Sequence, residues 1–307
     1  MTAVYERVDS WLWPPAPAER LAMLRIATGV FACGYLAVRL PVFLALADAD
    51  RHRFDPVGVL AFLDGPLPSA AVRSVVVATL VLAAAYTIGF YFRITGPAFA
   101  LALLILTTYR SSWGQLLWFE ALVVIDVLVV GFSPSADALA LAPHRTALGA
   151  SSAYGGPVQL AALLTVATYV VAGVAKLRIA GWAWMDGATL QNHIAYSAAR
   201  LDLLGGTPSP FAGWLVSHPT VLTPVAVATM VIEIGAPVAL FGGRVRTAWA
   251  VATWLLHVGI ALTLFIVFPF PLYGAAFAPF FRLERVPTAI HGRLSHRRGA
   301  AHAAGPK

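Results

Sequence analysis

The sequence predicts an all-helical integral membrane protein, a bundle of seven or eight transmembrane helices with an interfacial helix after the fifth span. Composition points there first. Of 307 residues, 59% are hydrophobic and only 11% charged, against roughly 25% charged residues in soluble domains. Mean hydropathy is +0.77. The apolar residues also fall in runs long enough to cross a hydrocarbon core, which takes about 20 residues of helix.

Those runs cover 21–46, 72–92, 94–109, 115–133, 157–177, 221–241 and 246–267. A shorter run, 271–281, follows the proline-broken "VFPFP" and reads as an eighth span or a re-entrant piece. The longer connections are 48–71, 134–156 and 178–220, too short for a sizeable soluble domain. The organisation expected is therefore an N-terminal segment 1–17, one membrane domain over 18–285 and a basic tail 286–307, with no internal repeat. The opening "MTAVYERVDSWLWPPAPAER" lacks the basic start and apolar centre of a secretory signal, so the first span is expected to carry the chain into the membrane.

The formal charge of +7 does not imply nucleic acid, because much of it crowds into "FRLERVPTAIHGRLSHRRGAAHAAGPK". A cytoplasmic tail beside anionic lipid accounts for it. Loop arginines divide evenly between the two faces: Arg7, Arg20, Arg93, Arg145, Arg244 and Arg246 oppose Arg51, Arg53, Arg73, Arg110, Arg178 and Arg200. The tail breaks the tie and, with an eighth span, puts both termini inside the cell membrane. Cys33 is the single cysteine, which excludes an internal disulfide, a CxxC pair and a Cys-based zinc site. His193 and His218 are too far apart to read as a metal pair, and no metal is expected.

After the fifth span, "GWAWMDGATLQNHIAYSAARL" reads as a helix lying in the interface. Trp182 and Trp184 suit the headgroup level there.

Ionisable residues inside spans are costly and tend to face the bundle interior or a wet cavity. In the first span, Arg39 precedes Pro41 and reads as a snorkelling end residue; Arg25 reads either so or as the partner of a buried carboxylate. In the fourth, Gln115 and Asp126 share a face while Glu120 points elsewhere, and Asp126 is expected in an interhelical hydrogen bond or ion pair. The fifth places Thr165, Tyr169, Ala172, Gly173 and Lys176 on one stripe, polar and small residues together with an amine at the rim. Lys176 is close enough to the helix end to snorkel, and equally placed to act as a reactive amine. Glu233 precedes Pro237 by one turn in the sixth span, and His257 lies near the middle of the seventh with Thr253 a turn earlier. If Lys176, Glu233 and His257 converge, they form a buried acid-base site. Walker, GxSxG, HExxH and dinucleotide motifs are absent.

"YVVAGVAKL", followed by a tryptophan, an acid-glycine pair and an aliphatic residue, resembles the signature region of the HTTM domain, the membrane domain shared with vitamin K-dependent gamma-carboxylase. "LAMLRIATGV", "YFRITGPAFALALLILTTYRSSW", "MVIEIGAPVALF" and "WLLHVGIALTLFIVFPFPLYGAAFAPFF" resemble further parts of that domain in the same order, so the likeness runs over about 18–285. The resemblance implies a membrane enzyme acting on a quinone-like or other lipophilic small molecule, with a reduced quinone as the cofactor class. Lys176 stands where the family's lysine deprotonates vitamin K hydroquinone. His257 and Glu233 stand where the family carries a histidine and an acid, and Asp126 is a supporting polar group. Tyr169, Gly173, Trp182 and Arg25 are the expected substrate-binding residues.

Two positions depart from the family. Leu116 replaces a polar residue after the serine-tryptophan turn, and Ile260 replaces an asparagine three residues after His257. The carboxylase also has a large extramembranous C-terminal portion, whereas this sequence ends soon after Phe281, so carboxylation of protein glutamate is not expected. The alternative expectation is a non-catalytic membrane module working beside a separate thiol oxidoreductase, which would supply the cysteines this chain lacks.

Overall fold

The computed structural model describes residues 2–114, 118–143 and 149–286. Gln115, Leu116, Arg145 and the basic tail beyond Val286 lie outside the described residues. The described chain is all-helical and contains no strand, only an isolated bridge between Ala16 and Ser151.

The helices are α1 (Thr2–Leu12), α2 (Ala18–Val38), α3 (Leu40–Ala45), α4 (Ser69–Ile88), α5 (Phe92–Ser111), α6 (Ala121–Gly131), α7 (Ser152–Ala180), α8 (Ala188–Leu203), α9 (Ala212–Ser217), α10 (Pro219–Ile234), α11 (Gly243–Leu264) and α12 (Pro269–Leu272). Five are long and apolar enough to cross a membrane: α2, α4, α5, α7 with its continuation to Asp186, and α11. The apolar α6 and α10 are shorter, at 11 and 16 residues.

Local chemistry sets the boundaries. The first apolar run breaks at Arg39, because Pro41 has no N–H to continue the helical ladder and disfavours a helical residue before it. α4 ends where Gly89 takes the left-handed conformation at φ 69°. The Ser151 hydroxyl caps α7 by accepting from the Ala153 N–H at 3.2 Å. α10 gives way at Gly235 to a 3-10 turn over 236–241 containing Pro237, and the Trp249 indole donates to the Ile232 carbonyl at 3.0 Å beside this break.

Two apolar clusters organise the packing. The larger joins α2, α4, α5 and α6, with Phe270 and Ala276 closing one side. The smaller joins α7, α11 and the two 3-10 turns 236–241 and 275–280 through Val166, Tyr169, Ala239, Trp249 and Phe277. α5 and α6 meet backbone to backbone: a Cβ on Gly96 would lie 2.7 Å from the Gly131 carbonyl oxygen. Such glycine contacts let apolar helices approach closely where the surroundings supply no hydrophobic drive.

The distribution of side chains is inverted relative to a water-soluble bundle. Val77, Val81, Val171 and Val231 are more than half exposed, while Arg25, Thr28, Thr79 and Asp126 are fully buried. A wide outward apolar surface fits a lipid environment.

Candidate functional site

The stripe expected on α7 forms, and its members meet three other elements. The Thr165 hydroxyl lies 3.3 Å from the Ala276 carbonyl. The Tyr169 hydroxyl is 2.8 Å from His257 Nε2 on α11. Gly173 faces α10, where a Cβ would lie 3.1 Å from Glu233 Cβ and 2.7 Å from Ile234 Cδ1. Lys176 Nζ, one turn further on, donates to both Glu233 carboxylate oxygens at 2.6 Å.

Lys176, Glu233, His257, Tyr169 and Gly173 are thus brought together. The Lys176 side chain is 23% exposed and that of Glu233 7%. The amine does not run free to the headgroups: besides Glu233 it has the face of Trp184, whose ring centroid is 5.4 Å from Nζ. The two pairs lie on one face of α7, with Gly173 between Tyr169 and Lys176. Aromatic rings wall the cluster. Tyr169 meets Trp249 edge-on at 5.4 Å, and Phe268 meets His257 at 5.3 Å. Among the described residues, His257 Nδ1 and Trp184 Nε1 are buried without a hydrogen-bond partner.

Other expected members stand apart. Trp182 is 77% exposed, and Trp184, two residues on, is the tryptophan that reaches Lys176. The two indoles leave the 3-10 turn over 181–186 about 120° apart around its axis, and it is Trp184 that turns to Lys176. Arg25 neither snorkels nor meets a carboxylate. It is fully buried, and its guanidinium donates to the Ser135 carbonyl at 2.6 Å and the Leu139 carbonyl at 2.5 Å, tying α2 to the segment after α6. Asp126 also belongs to the larger cluster. It is fully buried, near Tyr86, and neither carboxylate oxygen has a hydrogen-bond partner among the described residues, so the expected interhelical bond is not found. Glu120 instead forms an ion pair with Arg110 and accepts from the Tyr35 hydroxyl.

Sequence reasoning passed over Trp184 as a contact of the amine and Phe268 as a contact of the imidazole. Trp184 carried a signal, its place in a tryptophan-rich segment directly after Lys176. Phe268 carried none beyond its neighbouring prolines. The molecule is an all-helical chain with five membrane-length apolar helices and a half-buried lysine-glutamate pair beside a tyrosine-histidine pair. No family model, no curated protein and no solved structure matches this chain.

Proposed function

We propose that this is a polytopic membrane protein of the HTTM type that binds a lipophilic, quinone-like molecule at the Lys176 cluster and removes a proton from it. The observation that carries the reading is the placement of Lys176 Nζ, held against Glu233 beneath Trp184 rather than extended along the helix end. A reduced quinone would supply a flat ring and an acidic hydroxyl. The rings of Trp184, Tyr169 and Phe268 and the unpartnered Trp184 and His257 nitrogens suit such a ligand.

The proton inventory is short. Moving one proton across the 2.6 Å contact converts the ammonium and carboxylate to an amine and a carboxylic acid. The amine then accepts the substrate hydroxyl proton, and the substrate leaves as its anion beside a restored ammonium. Tyr169 fixes the His257 ring through Nε2 and leaves Nδ1 to face a ligand. Carboxylation of a protein substrate forms no part of the proposal.

In the membrane arrangement we propose, α2, α4, α5, α6, α7, α10 with its 3-10 continuation, and α11 make seven crossings. The segment from Phe265 to Phe281 makes an eighth. Glu284, just past it, lies beside Arg20 at the start of α2, and Phe270 meets Phe31 on α2 at 4.9 Å, which supports a traverse along that helix. Both termini then share the cytoplasmic face of the cell membrane. α8 lies in the interface, since Ile194 alone of its residues is buried and Tyr196 and Leu203 are exposed.

A second reading, a non-catalytic module beside a thiol oxidoreductase, is favoured by one observation: both Glu233 oxygens already engage Lys176, as in a purely structural ion pair. One experiment separates the two. Protein purified in lipid nanodiscs is extracted, its lipophilic contents are identified by mass spectrometry, and binding of vitamin K hydroquinone is titrated in wild type and Lys176→Ala. A retained quinone or a saturable affinity that falls about tenfold or more in Lys176→Ala supports the enzyme reading. Binding indifferent to the substitution, or none, leaves the module.

A further inference from the structure

An apolar groove lies beside the segment that carries Phe268. It encloses about 900 Å³ between α2 and the chain from Val267 to Leu283. Along α2 it runs from Ile26 to Arg39, a rise of about 20 Å at 1.5 Å per residue. That exceeds half of a hydrocarbon core roughly 30 Å thick. Its sides are Val30, Phe31, Val38, Pro269 and Phe281, and Gly34 sits in open space, with nothing within 4 Å of a Cβ placed there.

The groove is charged at one end only, its other polar side chains being Tyr35 near that end and Tyr273 beside Phe31. Arg39 stands there with its guanidinium 5.3 Å from the centre of the Tyr35 ring, and no described residue forms an ion pair with it. Nearby, Glu120 is taken up by Arg110 and by the Tyr35 hydroxyl. Two guanidinium groups and one carboxylate leave this mouth with a net charge of +1. The mouth also coincides with the end of α2 at Val38, just before Pro41.

We propose that this groove binds one anionic phospholipid of the surrounding membrane, its phosphate on Arg39 and an acyl chain laid along α2 as far as Ile26. The complementarity is of charge at the mouth and of length along the wall. Val267 and Pro269 line the groove, while Phe268 between them meets His257, so the lipid shares a wall with the Lys176 cluster without entering it.

The test uses full-length protein reconstituted in nanodiscs of equal phosphatidylglycerol and phosphatidylcholine, then released into detergent and analysed by native mass spectrometry. Wild type is expected to retain one phosphatidylglycerol per chain in preference to phosphatidylcholine. Arg39→Gln lowers that retention about tenfold, the loss of one charge-assisted contact, and Arg39→Lys keeps most of it. Gly34→Leu, at a position where an added Cβ meets nothing within 4 Å, puts bulk into the groove and removes the retained lipid. Lys176→Ala leaves retention unchanged, which separates this site from the proton-abstracting one. Retention of both lipids alike, of none, or of phosphatidylglycerol undiminished in Arg39→Gln and Gly34→Leu overturns the proposal.

Discussion

The contact between Lys176 and Glu233 sets a measurable coupling energy. At 2.6 Å, two unit charges attract by about 1.6 kcal/mol in water and about 6.4 kcal/mol at an effective dielectric of about 20. The 23% exposure of the lysine side chain admits solvent and places the pair in the lower half of that range, about 2–3 kcal/mol. Lys176→Met strands a carboxylate of which only 7% remains exposed, so it should cost about 3 kcal/mol. Glu233→Leu strands an ammonium that can still turn toward solvent, and should cost about 1.5 kcal/mol. The double variant restores an apolar contact of similar volume, and its cost should be near 2 kcal/mol rather than the sum of the two. The assay is reversible unfolding of all four proteins in mixed detergent micelles at one pH and ionic strength. Additivity of the single costs within about 0.5 kcal/mol would refute the reasoning, because it would mean that the two side chains do not meet.

Arg25→Leu should destabilise by about 3–5 kcal/mol by leaving buried carbonyls of residues 135–139 without a donor; unfolding in the same micelles measures it, with Arg25→Lys recovering only part. Gly155→Ala puts a Cβ 1.7 Å from the Pro14 carbonyl oxygen, and should cost at least about 1–3 kcal/mol and loosen the bridge between Ala16 and Ser151, read as faster amide exchange at those two residues. Tyr169→Phe removes the hydroxyl from His257 Nε2 and should cost about 0.5–1.5 kcal/mol of thermal stability. At Glu284, burial alone would push the carboxyl up, but the Arg20 hydrogen bonds and charge more than offset it and hold the group below its ordinary value. A depressed carboxylate stabilises the fold above its unfolded pKa, and the contribution is lost as pH falls through the folded one. Glu284→Gln should therefore be less stable than wild type at pH 7, with the gap closing below about pH 4; a gap that widens on acidification would reverse the sign.

What was legible in the sequence is what periodicity encodes. Thr165, Tyr169, Gly173 and Lys176 recur at helical spacing, so their common face could be read from one segment, and the structure shows three other elements meeting it. The break after Val38 is not legible in this way, since 21–46 reads as one apolar run, although Pro41 inside that run accounts for it. Partners across the bundle were not legible. Glu233 is 57 residues from Lys176 and His257 is 88 from Tyr169, and no local pattern specifies which distant helix a polar group will face. Arg25 is the sharper case, because its partners are backbone carbonyls, a chemistry every residue carries and no side-chain pattern announces. Which of Trp182 and Trp184 turns to Lys176 depends on how the 181–186 turn leaves α7 at Gly181, a phase that no local pattern specifies.

The molecule's two clusters treat buried polarity differently, and the difference argues for where its chemistry lies. Around α2, α5 and α6 the charges are sealed from outside: Arg25 donates to carbonyl oxygens and Glu120 Oε1 is engaged by a guanidinium and a phenol, while Arg25 Nε, Glu120 Oε2 and both Asp126 oxygens are buried without a partner among the described residues. Asp126 is 0% exposed and Glu120 3%. A sealed carboxylate cannot meet an incoming molecule unless the helices around it separate, and the α5 and α6 backbones touch at Gly96 and Gly131. Around α7, α10 and α11 the groups are paired but not sealed. The Lys176 side chain is 23% exposed, Gly173 lets Glu233 and Ile234 pack close against α7 between Lys176 and Tyr169, and two ring nitrogens are left over. Reactivity requires groups that are held yet still reachable, and the second cluster joins both conditions. A substitution that closes the path to Lys176 while preserving its pair with Glu233 should therefore abolish ligand binding and leave the coupling energy intact.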